Sequence, residues 1–177
     1  MVVHTLGFST RDHDQLLALL RGVGVALVVD IRSFPRSRHT PQWNRETLET
    51  LLPAHGLRYH HLRALGGFRK PRPDSTNLGW RNASFRGYAD YMETPTFEAG
   101  LAELISLAGA APAAIACTEA LPWRCHRSLV SDALTVRGIE VLHLVTPGEP
   151  PGRHALHSFA RVGTDARLTY PDPGALL

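Results

Sequence analysis

Apolar and polar positions alternate along this chain in blocks that switch between strand and helix spacing. Val2 to Gly7 reads as a first strand, followed by the turn Gly7-Phe8-Ser9-Thr10. Leu16, Leu17, Leu19, Leu20 and Val23 then recur at helical spacing, with Ser9 or Thr10 as the expected cap and Gly22 or Gly24 as the stop. Ala26 to Ile31 is apolar on both faces, as a central parallel strand should be, and carries Asp30 near its end. A basic loop, Arg32 to Arg38, leads to a second helix with Leu48, Leu51 and Leu52, capped by Asn44 and stopped at Gly56. Leu57 to Leu62 reads as a third strand, its neighbours His60 and His61 facing opposite sides and so unable to chelate together. Arg63 to about Ser84 has no periodicity, and a loop of that length is either a substrate-covering lid or a solvated insertion. Helices are expected from Phe85 to Met92 and from Thr94-Pro95 through Phe97, Leu101, Leu104 and Ile105. Ala114 to Cys117 is a fourth strand, Leu129, Val130, Ala133 and Leu134 mark a helix from near Arg124 to Gly138, and Ile139 to Leu144 is a fifth strand.

Strands alternating with helices predict one α/β domain over residues 1–177: a three-layer, Rossmann-like, mostly parallel five-stranded sheet. The expected strand order is 3-2-1-4-5. Residues 145–177 form a Pro- and Gly-rich extension packed on that domain, with a short helix near 155–160 and an extended arm ending at Leu168 to Pro171.

Composition narrows the class. A hydrophobic fraction of 44% and a charged fraction of 20% are those of a globular protein. No apolar run reaches the length of a membrane span. The opening residues lack the basic segment and apolar core of a secretory signal. Two cysteines in 177 residues do not make a disulfide framework. The expectation is a cytoplasmic, reduced protein with no membrane partner. Net charge is +3, carried by eighteen arginines and one lysine, Lys70. That bias reflects either genome composition or guanidinium groups used to grip phosphate or carboxylate.

The chemistry concentrates in one strand-to-helix turn, Cys117 to Arg127, which holds both cysteines, Glu119, His126, Arg124 and Arg127. Turns at the carboxyl ends of parallel strands are where open α/β sheets bind ligands. Three chemistries fit it. The first is a reactive thiol, Cys125 or Cys117, with Glu119 or Asp30 moving a proton. Against it stands plain packing of Cys125 on the stripe of Leu129, Ala133 and Val136. The second is a metal bound by Cys117, Cys125 and His126 with one open position. Its spacing matches no familiar structural zinc motif, and adjacent Cys125 and His126 are expected on different sides of a helix. The third is an anion site at a helix start, with Ser9, Arg32, Arg81, Tyr88, His126 and Arg127 around the ligand. For Arg127 the alternative is an internal ion pair with Asp30 or Glu119.

These turns resemble a known family when taken together. Gly7-Phe8-Ser9, Asp30 to Ser37, Leu65-Gly66-Gly67, Gly79-Trp80-Arg81-Asn82, Phe85 to Met92 and Cys117 to Arg127 resemble the domain-of-unknown-function family four-eight-eight, over about Val2 to Tyr170. The resemblance implies a cytoplasmic α/β domain and no particular activity. From the residues, the reading is a small α/β protein, an enzyme or a degenerate one. It would act on an anionic, nucleotide-like substrate in a crevice of Cys, Glu, His and Arg. Two alternatives stand beside it: a nucleic-acid-binding module using Arg63 to Arg81, and a metal-dependent enzyme using Cys117, Cys125 and His126. The sequence names no cofactor and no oligomeric state.

Overall fold

The computed structural model describes residues 1–176 and shows a mixed α/β domain built on a six-stranded sheet. In chain order the elements are β1 (Val2–Gly7), α1 (His13–Gly22), β2 (Leu27–Asp30), α2 (Arg45–Ala54), β3 (Arg58–His61), α3 (Ala83–Met92), α4 (Pro95–Ala110), β4 (Ala113–Cys117), α5 (Arg127–Thr135) and β5 (Glu140–Leu144). Three two-residue strands follow: β6 (Gly152–Arg153), β7 (Arg161–Val162) and β8 (Leu168–Thr169).

The sheet order is β3-β2-β4-β1-β5-β6, which corrects the expected 3-2-1-4-5. The expected adjacency of β1 and β4 is present and parallel, with Gly7 opposite Cys117. The difference is that β4 lies between β2 and β1. All five residues of β4 are buried, and three of them are alanines, so helices approach it closely from both sides. β1 and β4 are both buried on both faces, although β1 carries His4 and Thr5 where β4 is apolar throughout. The sixth strand was not expected: β6 adds antiparallel to the β5 edge, His143 opposite Gly152.

Side-chain alternation along β4 sets the three layers. Ala113, Ile115 and Cys117 face a core shared with α3, α4 and α5, including Tyr88, Leu101, Leu104 and Leu129. Ala114 and Ala116 face a second core with Leu16 and Leu20 of α1 and Leu48 and Leu52 of α2.

Several boundaries shift for identifiable reasons. α1 is capped by Asp12, in a reciprocal capping box with Gln15, instead of by Ser9 or Thr10. Asn44 precedes α2 as expected, but its side-chain oxygen accepts from the Ser37 amide in the basic loop. α5 starts at Arg127 because Pro122–Arg124 forms a separate 3₁₀ turn and Cys125 is extended. No helix forms over 155–160, where hydrogen bonds to Asp132 hold the backbone instead. The aperiodic loop after β3 is anchored by Asp90 of α3, which accepts from the Arg72 amide, the Ser75 hydroxyl and the Asn77 side chain. Asn77 is fully buried and receives the Tyr170 amide, tying this loop to the C-terminal arm.

Candidate metal and substrate site

The carboxyl ends of β1 and β4 approach so closely that only glycine fits at position 7. A Cβ there would lie 1.8 Å from the Glu119 carbonyl oxygen. The Phe8 and Ser9 amides donate to the Cys117 and Thr118 carbonyls, continuing the parallel ladder beyond the strands. The turn after β4 is thereby held against β1. It runs through the 3₁₀ turn at Pro122–Arg124 and delivers Cys125 and His126 beside Cys117.

The two thiols and one imidazole converge. His126 Nδ1 lies 3.7 Å from Cys125 Sγ and 4.0 Å from Cys117 Sγ, and all three donor atoms fall within 4.8 Å of one another. Both cysteines are free and buried. The expected divergence of Cys125 and His126 fails because His126 precedes the first helical residue and Cys125 has extended backbone. The other ring nitrogen, His126 Nε2, lies 3.1 Å from the Ile31 carbonyl oxygen. A carbonyl only accepts, so Nε2 carries the proton and the Nδ1 lone pair faces the sulfurs. A carbonyl that fixes the tautomer in this way is the usual support of a metal-ligating histidine.

Electrostatics favour a thiolate. In the metal-free cluster the neighbouring Cys117 thiol lowers the Cys125 pKa far below its ordinary value, against the opposing effect of burial; Arg127, and His126 when its ring is protonated, lower it further. The neighbouring Cys125, together with burial, raises Cys117. Arg127 stands behind the sulfurs, fully buried, and donates to the Glu119 carbonyl oxygen. Its Nε and Nη1 have no hydrogen-bond partner among the described residues. Neither Asp30 nor the Glu119 carboxylate pairs with it. Asp30 is taken up by Arg32 at 2.6 Å and by the Tyr59 hydroxyl at 2.8 Å.

The cluster opens on a cavity of about 330 Å³. Of the residues singled out in the sequence, Cys117, Glu119, Cys125, Arg32, Tyr88 and His126 line it. Ser9, Asp30, Arg81 and Arg127 do not. Ser9 has φ of 50° and stitches two turns together, Arg81 is exposed elsewhere, and Asp30 and Arg127 are buried in the supporting layer. Arg32 is also committed, its guanidinium lying over Phe8 while bonding Asp30 and the Trp43 carbonyl. Tyr88 donates to the Leu65 carbonyl and presents only its ring, 4.8 Å from the His126 ring. Arg124, one of the arginines of the turn, also lines it, and the remaining walls were not singled out as site residues: Ser33, Phe34, Gly67, Phe68, Thr118, Ser84 and Phe85. Phe34 and Phe68 form an exposed pair at the rim, and Phe68 has a strained φ of 59°.

Two cations of the aperiodic loop are engaged by neighbouring groups, while Arg63, Lys70 and Arg81 are exposed. Arg72 pairs with Glu93 at 2.7 Å, and Arg69 lies 3.6 Å over the Tyr91 ring. His60 meets Glu103, and His61 meets the Arg32 carbonyl.

A second polar cluster had no sequence signal, because its members are far apart in the chain. Asp132 accepts from His154 at 2.8 Å, His157 at 2.6 Å and the Tyr170 hydroxyl at 2.8 Å. His154 continues to His143 at 3.0 Å, and His143 to Thr5 at 2.7 Å. Burial alone would raise the Asp132 pKa, but the hydrogen bonds from His154, His157 and Tyr170 bring it below the usual value. This cluster fastens the C-terminal extension to α5.

A family model described as "Domain of unknown function DUF488" matches residues 12–134, the span that contains all of β2 through β4 and almost all of α5. No curated protein and no solved structure matches the chain.

Proposed function

Since the chain belongs to the DUF488 family, whose description assigns no activity, we propose a function from the site itself: it binds a thiophilic divalent metal, zinc first, through Cys117, Cys125 and His126. The supporting observation is the orientation of His126, whose Nε2–H is spent on the Ile31 carbonyl so that Nδ1 faces two sulfurs. With metal–sulfur bonds of about 2.3 Å and metal–nitrogen bonds of about 2.0 Å, tetrahedral donors are roughly 3.5–3.8 Å apart. The observed nitrogen–sulfur distances of 3.7 and 4.0 Å are near these values, and the whole donor set, within 4.8 Å, closes on the metal by about 1 Å at most. Three protein donors leave one position, and the cavity lies against the cluster, so the site is of the catalytic type. The metal would supply Lewis acidity and lower the pKa of a bound water. Anion recognition falls to Arg124, the exposed guanidinium on the cavity wall, with Arg127 contributing positive field from behind.

A second reading is a metal-free nucleophilic thiolate at Cys125, favoured by its lowered pKa. Alkylation kinetics separate the two. A metal site protects both thiols from iodoacetamide when one equivalent of zinc is present, and Cys117→Ser or His126→Ala abolishes the protection. A thiolate nucleophile alkylates at Cys125 at the same rate with or without zinc.

A further inference from the structure

Resting on the metal reading above, we infer that the substrate is a planar heteroaromatic amine of the nucleobase class, and that the reaction is its hydrolytic deamination with Glu119 as the proton-transfer group. The first argument is the order of donors in the chain. Cys117 is followed two residues on by Glu119, and Pro122 precedes the second pair, Cys125-His126. Zinc deaminases of nucleobases use a His/Cys/Cys donor set, a Glu two residues after the first ligand that is not itself a ligand, and a Pro ahead of the second ligand pair. Here Trp123 and Arg124 separate the proline from the pair, the pair is adjacent instead of separated by two residues, and the extended backbone of Cys125 brings His126 to the cluster.

The second argument is the state of Glu119. It lines the cavity beside Cys117, Cys125 and His126. Its carboxylate has no hydrogen-bond or ion-pair partner among the described residues, while its carbonyl is fixed from behind by Arg127. Glu119 is exposed, and its carboxylate on the cavity wall is available to exchange protons with water that enters there.

The third argument is shape. The rings of Tyr88 and Phe85 wall the cavity, and Phe34 with Phe68 extends the apolar rim. Flat aromatic walls suit a flat ring, and about 330 Å³ suits a base or nucleoside better than a peptide. Arg124 on the same wall matches a 5′-phosphate.

The fourth argument is charge. Two thiolates neutralise a divalent ion. Arg127 and Arg11 then stand near the site bonded only to backbone carbonyls, Arg11 to those of Gly7 and Val145. That residual positive charge suits a ligand that brings negative charge or lone pairs into the cavity.

The chemistry balances with water as the sole co-reactant. The water oxygen bonds to the ring carbon that bears the amino group as the adjacent ring carbon–nitrogen double bond opens; one water proton passes through Glu119 to the amino nitrogen, which leaves as ammonia when its bond to carbon breaks, and the other ends on the ring nitrogen. The products are a ring carbonyl and ammonia, with no change in oxidation state.

The test uses full-length protein reconstituted with zinc and shown by elemental analysis to hold one equivalent. Ammonia release is measured against cytosine, adenine and guanine as free bases, nucleosides and 5′-monophosphates. The expected result is ammonia matched mole for mole by the keto product for at least one compound. Glu119→Gln should lose about 10²–10⁴ of kcat while keeping its zinc. In cobalt-substituted protein the visible bands should shift when that same compound is added. Zinc-loaded protein that releases no ammonia from the panel overturns the deamination and leaves the metal site standing. Protein that takes up no zinc overturns both. A Glu119→Gln variant with unchanged turnover removes Glu119 from the reaction.

Discussion

Substituting Gly67 by alanine should impair the metal cluster far more than the fold. Gly67 carries no ligand, but a Cβ there would lie 2.9 Å from His126 Nδ1 and 3.2 Å from its Cε1. Ordinary van der Waals contact begins at 3.4 Å, so the ring must yield by 0.5 Å, the difference between 3.4 and 2.9. It cannot swing freely, because Nε2 is tied to the Ile31 carbonyl and the opposite face meets Tyr88. Residue 67 cannot retreat freely either, since its carbonyl accepts from Ser33 at 2.7 Å. Metal–ligand distances tolerate only about 0.2 Å. Displacing a ligand's support typically costs roughly 10–100-fold in metal affinity. The stability cost of one overpacked methyl is about 1 kcal/mol, or a melting-temperature fall of about 2–4 °C for a domain of this size. The assays are competition against a chromophoric zinc chelator and thermal melting of the metal-free protein. Gly22→Ala is the control, because a Cβ there meets nothing within 4 Å. It should leave affinity unchanged. Unchanged zinc affinity in Gly67→Ala would refute the placement of Nδ1 as a ligand.

Three further predictions concern the surrounding layer. Asp132→Asn withdraws the charged acceptor shared by His154, His157 and Tyr170 and should cost about 3–5 kcal/mol in urea unfolding; cleavage of the segment after β5 should precede core cleavage in limited proteolysis, and a loss under about 1 kcal/mol would contradict the fastening role. His143 is lowered from 6.5 to about 4, first by burial and then by the charges of His154 and Arg127, so the folded state keeps it neutral where the unfolded chain binds a proton. Stability should therefore be fully present above about pH 6.5 and fall toward pH 4 by about 1–2 kcal/mol after allowing for partial solvent access; His143→Gln should flatten that slope, and an unchanged slope would contradict the assignment. Arg127→Met removes a buried guanidinium that has no carboxylate partner, so metal-free stability should hold or rise by about 1–2 kcal/mol, while Cys125 alkylation shifts to higher pH because Arg127 helps hold that thiol down. A loss of about 3 kcal/mol or more would instead reveal a paired arginine.

The sequence made legible whatever depends on local periodicity. The run Ala113 to Cys117 announces a doubly buried strand, and the spacing from Leu129 to Leu134 announces the helix after it. The turn between them was recognisable as the place where chemistry collects. Sheet order was not legible, because both β1 and β4 are short strands buried on both faces, and pairing between strands far apart in the chain leaves no local signature. The meeting of Cys125 with His126 was hidden for a different reason: it depends on the helix starting at Arg127, and the 3₁₀ turn at Pro122 that delays it has no periodic signature. For Asp30, Arg32 and Arg127 the sequence left open whether each served the site or an internal pair. Their commitments to one another, to Tyr59 and to backbone carbonyls arise only in three dimensions. The histidines on Asp132 were invisible, since 22 and 25 residues separate them from their partner.

The central claim is that Cys117, Cys125 and His126 act together as one metal centre. Titration of the reduced, metal-free protein with cobalt(II), followed by absorption, tests it most directly. The account predicts saturation at one equivalent, with a near-ultraviolet thiolate-to-cobalt band and intense visible bands of tetrahedral geometry, and loss of that spectrum in each of Cys117→Ser, Cys125→Ser and His126→Ala. A weak, octahedral-type spectrum that persists in all three variants would contradict it.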